Sequence, residues 1–233
     1  MQVFLVHGLE GARQARGLAV VIDVFRAFTT ACFVHAGGGE ILAVAGEEDA
    51  RALARKLPGS LLMGERDCVP LPGFDFGNSP ALVEKQDFTG RTVVFTTSAG
   101  TQGLAAASGA AEIITGSFAN AGAVVEHIRA RKPEVVTIVA LGESGLLPSP
   151  EDSMCGIYLK NELEGFPNSF ETLARYLRTA PSAEKFLDPG KDYAPARDLD
   201  LCLDLNRFDF VLAAVPGPDG SLKLQARTPG AQA

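Results

Sequence analysis

The sequence has no tryptophan, three tyrosines, three histidines and four cysteines. Without aromatics interleaved with basic residues, there is no stacking platform for single-stranded nucleic acid. Lysines and arginines are scattered, and the formal net charge is −7. A basic face for DNA or RNA is therefore excluded. His7, His35 and His127 are not spaced as a metal pair, which argues against a histidine-centred mechanism. Cys32, Cys68, Cys155 and Cys202 lie far apart with no CxxC pair, so neither a zinc knuckle nor a thioredoxin-like site is expected. Four reduced, mostly buried thiols are the expectation, in keeping with a cytoplasmic location. Charges and glycines interrupt every apolar run before membrane-spanning length, so no membrane partner is expected. The start, MQVFLVHGLEGARQ, lacks the basic region and long apolar stretch of a signal peptide, and Met1 through Val6 read as a first strand.

What is present is an alternation. Hydrophobic residues make up 46% of 233 residues, enough to bury a substantial core. Short runs rich in Val and Ile recur at 18–22, 40–44, 61–63, 92–96, 112–115, 135–141 and 208–215. Continuous apolar runs of that length suit strands buried on both faces. Helical spacing fills the intervals at 27–36, 47–56, 101–108 and 119–131. The alternation predicts a three-layer α/β/α sandwich with a largely parallel, mixed sheet. A single domain over 1–228 is expected, with a helical covering segment at about 150–187. The segment VPGPDGSLKLQAR reads as an antiparallel hairpin, and 229–233 as a flexible tail.

Ligands of open α/β sheets bind beyond the carboxyl ends of strands. Four polar junctions follow strands here. In VVIDVFRAFTT, Asp23 ends a strand and Arg26 opens a helix. Asp23 can ligate Mg²⁺, attack phosphorus or accept a proton, and Arg26 can clamp an anion. The competing reading is a helix cap paired with its arginine. In LLMGERDCVPLPGFDFGNSP, Glu65 and Arg66 follow a strand, and Asp75, Asn78 and Ser79 sit in a shaped Gly- and Pro-rich loop. Ser79-Pro80 also fits a helix start. In RTVVFTTSAGTQGL, Thr97, Ser98, Gly100 and Thr101 lead into a helix, an anion site by hydroxyls, amides and dipole. It is not a Walker loop, because the lysine is absent, so no nucleotide is implied. In TGSFANA and ALGESGLLPSPEDSMCG, Ser117 and Asn120 repeat the strand-end theme, while Glu151 and Asp152 open a helix. Acids favour a helix N-terminus on dipole grounds alone, yet their oxygens also suit Mg²⁺.

Haloacid dehalogenase-type phosphatases also end a strand on a nucleophilic aspartate, with a second acid two residues on. Phe25 occupies that position, which excludes that family. Taken in order, DVFRAFTT, GER, GFDFGNSP, TTSAGTQG, GSFANA and SPEDSMCG resemble the 2-phosphosulfolactate phosphatase family. Each motif is weak alone, and the ordered set is specific over roughly Asp23 to Gly156. The resemblance implies an α/β/α fold and a magnesium-dependent phosphatase that hydrolyses (2R)-2-phospho-3-sulfolactate, a step toward coenzyme M. It points to Asp23, Arg26, Glu65, Arg66, Asp75, Asn78, Thr97, Ser98, Thr101, Ser117, Asn120, Glu151 and Asp152.

On this basis Asp23, Glu151 and Asp152 are expected to hold Mg²⁺, and Arg26 and Arg66 to grip anionic groups. The loop from Thr97 to Thr101, with Gly100, is expected to cradle phosphate. Either a metal-activated water or Asp23 itself would attack phosphorus. The expected partner is a small anionic phosphorylated metabolite. A homodimer is expected only because it is common for α/β enzymes of this size. The rivals are a phosphatase for another phosphorylated hydroxy acid, a transferase, and a non-catalytic module that senses a phosphorylated metabolite.

Overall fold

The structure is a computed structural model that describes residues 1–229. Apart from Pro229, the expected flexible tail lies outside the described residues. The strands are β1 (Gln2–His7), β2 (Leu18–Ile22), β3 (Glu40–Ala43), β4 (Leu61–Arg66), β5 (Val69–Pro70), β6 (Thr92–Thr96), β7 (Glu112–Gly116), β8 (Val135–Ala140), β9 (Val211–Pro216) and β10 (Leu222–Arg227). The α-helices are α1 (Gly8–Arg13), α2 (Ala27–Ala36), α3 (Glu47–Lys56), α4 (Pro80–Val83), α5 (Gly100–Ala106), α6 (Ala121–Arg131), α7 (Pro150–Glu164), α8 (Phe170–Leu177) and α9 (Ala196–Cys202). Two of the short 3₁₀ turns, Phe118–Asn120 and Pro181–Phe186, matter for the site.

One sheet takes all ten strands, in the order β1-β8-β2-β7-β9-β10-β3-β6-β4-β5. β1, β8, β2 and β7 are mutually parallel, as are β3, β6 and β4. The antiparallel β9–β10 hairpin joins the two groups. Three antiparallel pairings separate β7 from β3, so the groups run in opposite directions. The expected mixed α/β sandwich is observed, and the hairpin falls where its Pro-Gly-Asp turn predicts.

Alternation along β2 places side chains on two faces. Leu18, Val20 and Ile22 pack with Val124 and Ile128 of α6, Leu159 of α7 and Leu177 of α8. Ala19 and Val21 pack on the other side, in a cluster with Ala12 of α1, Phe28 of α2 and Leu104 of α5. Helix α2 is apolar on every side, and every residue from Ala27 to Val34 is buried. A helix apolar all round belongs inside. Its cluster also contains Ile41 of β3 and Phe95 of β6, so one helix packs with strands of both parallel groups.

The sheet cannot be flat. Asp23 follows β2 and Gly100 follows β6, five strand steps apart in the sheet order. At about 4.8 Å per step, a flat sheet would separate them by about 24 Å. Instead, a Cβ placed on Gly100 would lie 3.1 Å from Asp23 Oδ2. A right-handed twist of about 20–25° per strand accumulates over those steps and coils the sheet. Coiling brings together the carboxyl ends of strands that run in opposite directions.

Candidate active site

Where those ends meet lies a cavity of about 550 Å³. Its wall includes Asp23 after β2, Glu65 on β4, Ser98 after β6, Gly142 and Glu143 after β8, and Glu151 and Asp152 on the first turn of α7. Seven acidic side chains line it, against three basic ones.

Asp23 is held by one oxygen. Its Oδ1 accepts the Ala27 N–H at 3.1 Å, and its Oδ2 has no hydrogen bond among the described residues. Burial pushes the Asp23 carboxyl up to about 6, against the Ala27 amide and with help from the charge of Glu65. Asp152 accepts the Val24 and Gly142 N–H groups, each at 2.8 Å. It ties the loop after β2 to the loop after β8. Burial, then the charges of Asp23 and Glu151, push its carboxyl well above the usual range. Glu151 accepts the Ser182 hydroxyl at 2.6 Å through one oxygen.

Glu65 fills the anion cradle that the sequence places after β6. The Ser98 N–H reaches Glu65 Oε1 at 2.8 Å, and the Ser98 hydroxyl reaches Oε2 at 3.0 Å. The cradle does bind a carboxylate, but the carboxylate belongs to the protein. Thr97 and Thr101 satisfy each other: each backbone N–H reaches the other's hydroxyl, at 3.0 and 3.2 Å. Neither lines the cavity. Gly100 matters because a side chain there would collide with Ala27 Cβ at 2.8 Å and crowd Asp23.

Arg26 lines the cavity but is already spent. It donates to Asp198 Oδ2 at 2.7 Å and to the Tyr193 carbonyl at 2.6 Å from one nitrogen, and to the Cys68 carbonyl at 3.2 Å from the other. The side chains of Arg26 and Asp198 are 1% and 0% exposed, so the charges cancel in the interior. The other oxygen of Asp198 accepts the Ser79 hydroxyl and the Ala81 N–H, which anchors the start of α4. Ser79 also caps α4 by accepting the Leu82 N–H, as its Pro80 neighbour predicts.

Other expected residues lie elsewhere. Arg66 turns away from the cavity to Thr96 Oγ1 and to the carbonyls of Glu65 and Ala45. Asp75 accepts the Leu62 N–H at 2.8 Å and stabilises the strand edge. Ser117 and Asn120 form a capping box at the Phe118–Asn120 turn, and Asn120 also donates to the Phe210 carbonyl. Asn78, in contrast, is buried in the cavity wall with its carboxamide oxygen unpartnered. Such an orphan awaits a ligand group.

A model of the family described as 2-phosphosulpholactate phosphatase matches residues 4–216. The chain belongs to this family. A "Probable 2-phosphosulfolactate phosphatase" of Deinococcus radiodurans is 41% identical, with 90% of this chain and 93% of the relative covered. Relatives with the same name from Carboxydothermus hydrogenoformans and Bacillus subtilis are 39% and 30% identical. They cover 96% and 91% of this chain, and 94% and 93% of their own lengths. Membership in the 2-phosphosulpholactate phosphatase family places the protein among the phosphoric monoester hydrolases.

Sequence reasoning missed Asp198, Lys185 and Ser182. Ser182 and Lys185 lie in the segment read only as covering helix, and Asp198 in a stretch given no reading, where nothing marks a lone polar side chain as inward-facing. Asp198 follows Arg197 in ARDLDLC, so the local sequence reads as a charged surface pair and hides the buried counter-charge of Arg26.

The donors suit a hard cation in kind. Asp23 Oδ2 and one oxygen of Glu151 carry no hydrogen bond among the described residues. No three His, Cys, Asp or Glu side chains among the described residues stand close enough to enclose a metal alone. Mg²⁺ does not demand such a cage, because it commonly takes one or two carboxylates and completes its shell with water and substrate phosphate.

Proposed function

We propose that this protein is a magnesium-dependent phosphatase that hydrolyses (2R)-2-phospho-3-sulfolactate to 3-sulfolactate and phosphate, a step toward coenzyme M. The observation that carries the reading is Asp23. One of its oxygens is fixed, and the other is unengaged in a cavity where acids outnumber bases seven to three. A substrate with phosphate, sulfonate and carboxylate groups cannot enter so acidic a space without added positive charge. Asp23 and Glu151 are the residues that would hold Mg²⁺. When bound, the ion would offset the phosphoryl charge and admit the anion.

The chain's own groups do the rest. Ala27 N–H and Gly100 fix where Asp23 Oδ2 points. Without a cation, burial pushes the Asp23 carboxyl up to about 6, and a cation held at Oδ2 would favour its ionised form. Asp23 acts there as base toward the attacking water or as the attacking oxygen itself. Asp152 locks the two loops that frame the site. The orphaned Asn78 oxygen is an acceptor, so it would meet a water or hydroxyl proton or the cation, not an anionic oxygen. Glu65 shapes the Ser98 turn instead of touching phosphate.

The test is phosphate release by metal-stripped protein from 2-phospho-3-sulfolactate and from other small phosphomonoesters, with and without Mg²⁺. Magnesium-dependent release from the sulfonate compound is expected. Asp23→Asn should lower kcat by about 10²–10⁴. Release only from other esters would change the substrate, and release from none would leave a sensing module.

A further inference from the structure

Among the described residues, Lys185 is the one cavity-lining cation without a carboxylate partner. Arg26 is neutralised by Asp198 in the interior. Lys191 is paired with Asp188 at 3.7 Å, with side chains 40% and 48% exposed. Arg66 does not line the cavity. That leaves Lys185, half-buried in the wall, with no carboxylate partner among the described residues.

Its placement is built. Lys185 sits on the Pro181–Phe186 turn, which is pinned over the loop after β2. Phe186 meets Phe25 edge to face with ring centres 5.3 Å apart, and Ser182 bonds Glu151 at 2.6 Å. The ammonium lies 5.2 Å from the centre of the Phe186 ring. Nζ reaches the Phe25 carbonyl at 3.2 Å and Cys68 Sγ at 3.6 Å. An ammonium has three protons, and a thiol is a weak acceptor, so much of its hydrogen-bonding capacity is unspent. The positive charge also acts on Asp23, opposing the upward push of burial. Lys185 lines the same cavity as Asp23 and Asn78.

We propose that Lys185 is a substrate-binding residue whose ammonium takes a tetrahedral oxyanion group of the substrate, phosphoryl or sulfonate. The proposal deepens the phosphatase reading and rests on it for the identity of the substrate. A lysine suits this task as a compact point charge on a flexible stem. Among the described residues it is the one cavity-lining cation that no carboxylate pairs.

Lys185→Met keeps the apolar stem against Phe186 and removes the charge, while Lys185→Arg keeps the charge. Three readouts separate the outcomes: steady-state kinetics on 2-phospho-3-sulfolactate, the same on phospholactate, which lacks the sulfonate, and calorimetric binding of inorganic phosphate and of 3-sulfolactate. All use full-length protein with Mg²⁺, after thermal melts establish that the variants fold. Lys185→Met should raise KM by about 10- to 100-fold, with Lys185→Arg recovering most of the loss. A loss confined to the sulfonate substrate and to 3-sulfolactate assigns Lys185 to the sulfonate. A loss on both substrates and on inorganic phosphate assigns it to the phosphoryl group. Folded Lys185→Met with unchanged KM and unchanged binding of both anions overturns the proposal. If the wild type hydrolyses neither ester, the phosphatase reading fails, and anion binding by wild type and variant still decides the role of Lys185. A variant that does not fold passes the decision to Lys185→Gln, judged by the same binding measurements.

Discussion

Asp23 is costly to the metal-free fold. Its carboxyl holds a proton up to about 6 in the folded protein, against 3.8 for the free side chain. Between those values the native state binds more protons than the unfolded state. The stability this group contributes is therefore complete below 3.8 and lost as pH rises through about 6. At pH 7 the ionised, buried carboxylate costs up to about 3 kcal/mol. Asp23→Asn keeps an acceptor for Ala27 N–H and never ionises. In chelator-treated protein at pH 7 it should melt higher than wild type, by an amount that vanishes near pH 4. Saturating Mg²⁺ should stabilise the wild type, by about 2.7 kcal/mol at a hundred times Kd, and leave the variant unmoved. Wild type and variant with equal melting temperatures across that range would remove Asp23 from this role. The residue was legible in the sequence because a lone acid closed an apolar run. Which acids would be engaged elsewhere was not legible. Glu65 and Asp152 each spend both oxygens on the protein, a fact set by loops distant in sequence.

At the scale of elements, the weak point is the junction of β7 and β9, which pair through Ile114 and Ala213 alone. Glu112 reinforces it. From β7 it accepts bonds from Arg131 of α6 at 3.0 Å and from Arg227 of β10 at 2.6 Å, and it contacts His127 Nε2 at 3.0 Å. β10 is two places away in the sheet, so the ion pair spans the junction. The His127 hydrogen bond leads in pulling the Glu112 carboxyl from 4.5 to about 2. A lowered acid contributes stability above 4.5 that is lost as pH falls through about 2. Glu112→Gln should cost about 1–2 kcal/mol at pH 7 after allowing for solvent screening. The gap in urea midpoint from wild type should narrow steadily below pH 4.5, and a gap constant with pH would sink the idea. The long periodic elements were readable: β2, β6, α2 and α3 fall where their spacing predicts. Helices α1 and α9 were not, at six and seven residues, because so short a segment shows barely two turns of pattern. Gly8 and Gly11 also weaken any helical pattern in α1.

Across the whole molecule, the site exists only because the sheet coils. Strand content and the parallel bias follow from the apolar runs. The opposed directions of the two parallel groups do not, since they depend on inserting the last hairpin at the centre of the sheet. Hence the residues around the cavity were largely visible one by one, while Asp198 and Lys185, far along the chain, were not. Gly100 tests the convergence directly. An alanine Cβ there would meet Ala27 Cβ at 2.8 Å and Asp23 Oδ2 at 3.1 Å, forcing the β6 arm away from the β2 arm. Gly103, one turn along the same helix, provides a matched control. Its added Cβ would meet Leu141 Cδ1 at 2.5 Å and leave Asp23 untouched. Both Gly100→Ala and Gly103→Ala should lower the melting temperature, through crowding in a packed interior. Only Gly100→Ala should also lower kcat, by about 10- to 100-fold, since a displacement near 1 Å suffices for such a loss. If folded fractions of the two variants turn over alike, the close approach of the two arms at Gly100 does not position Asp23, and convergence of the strand ends would serve stability alone.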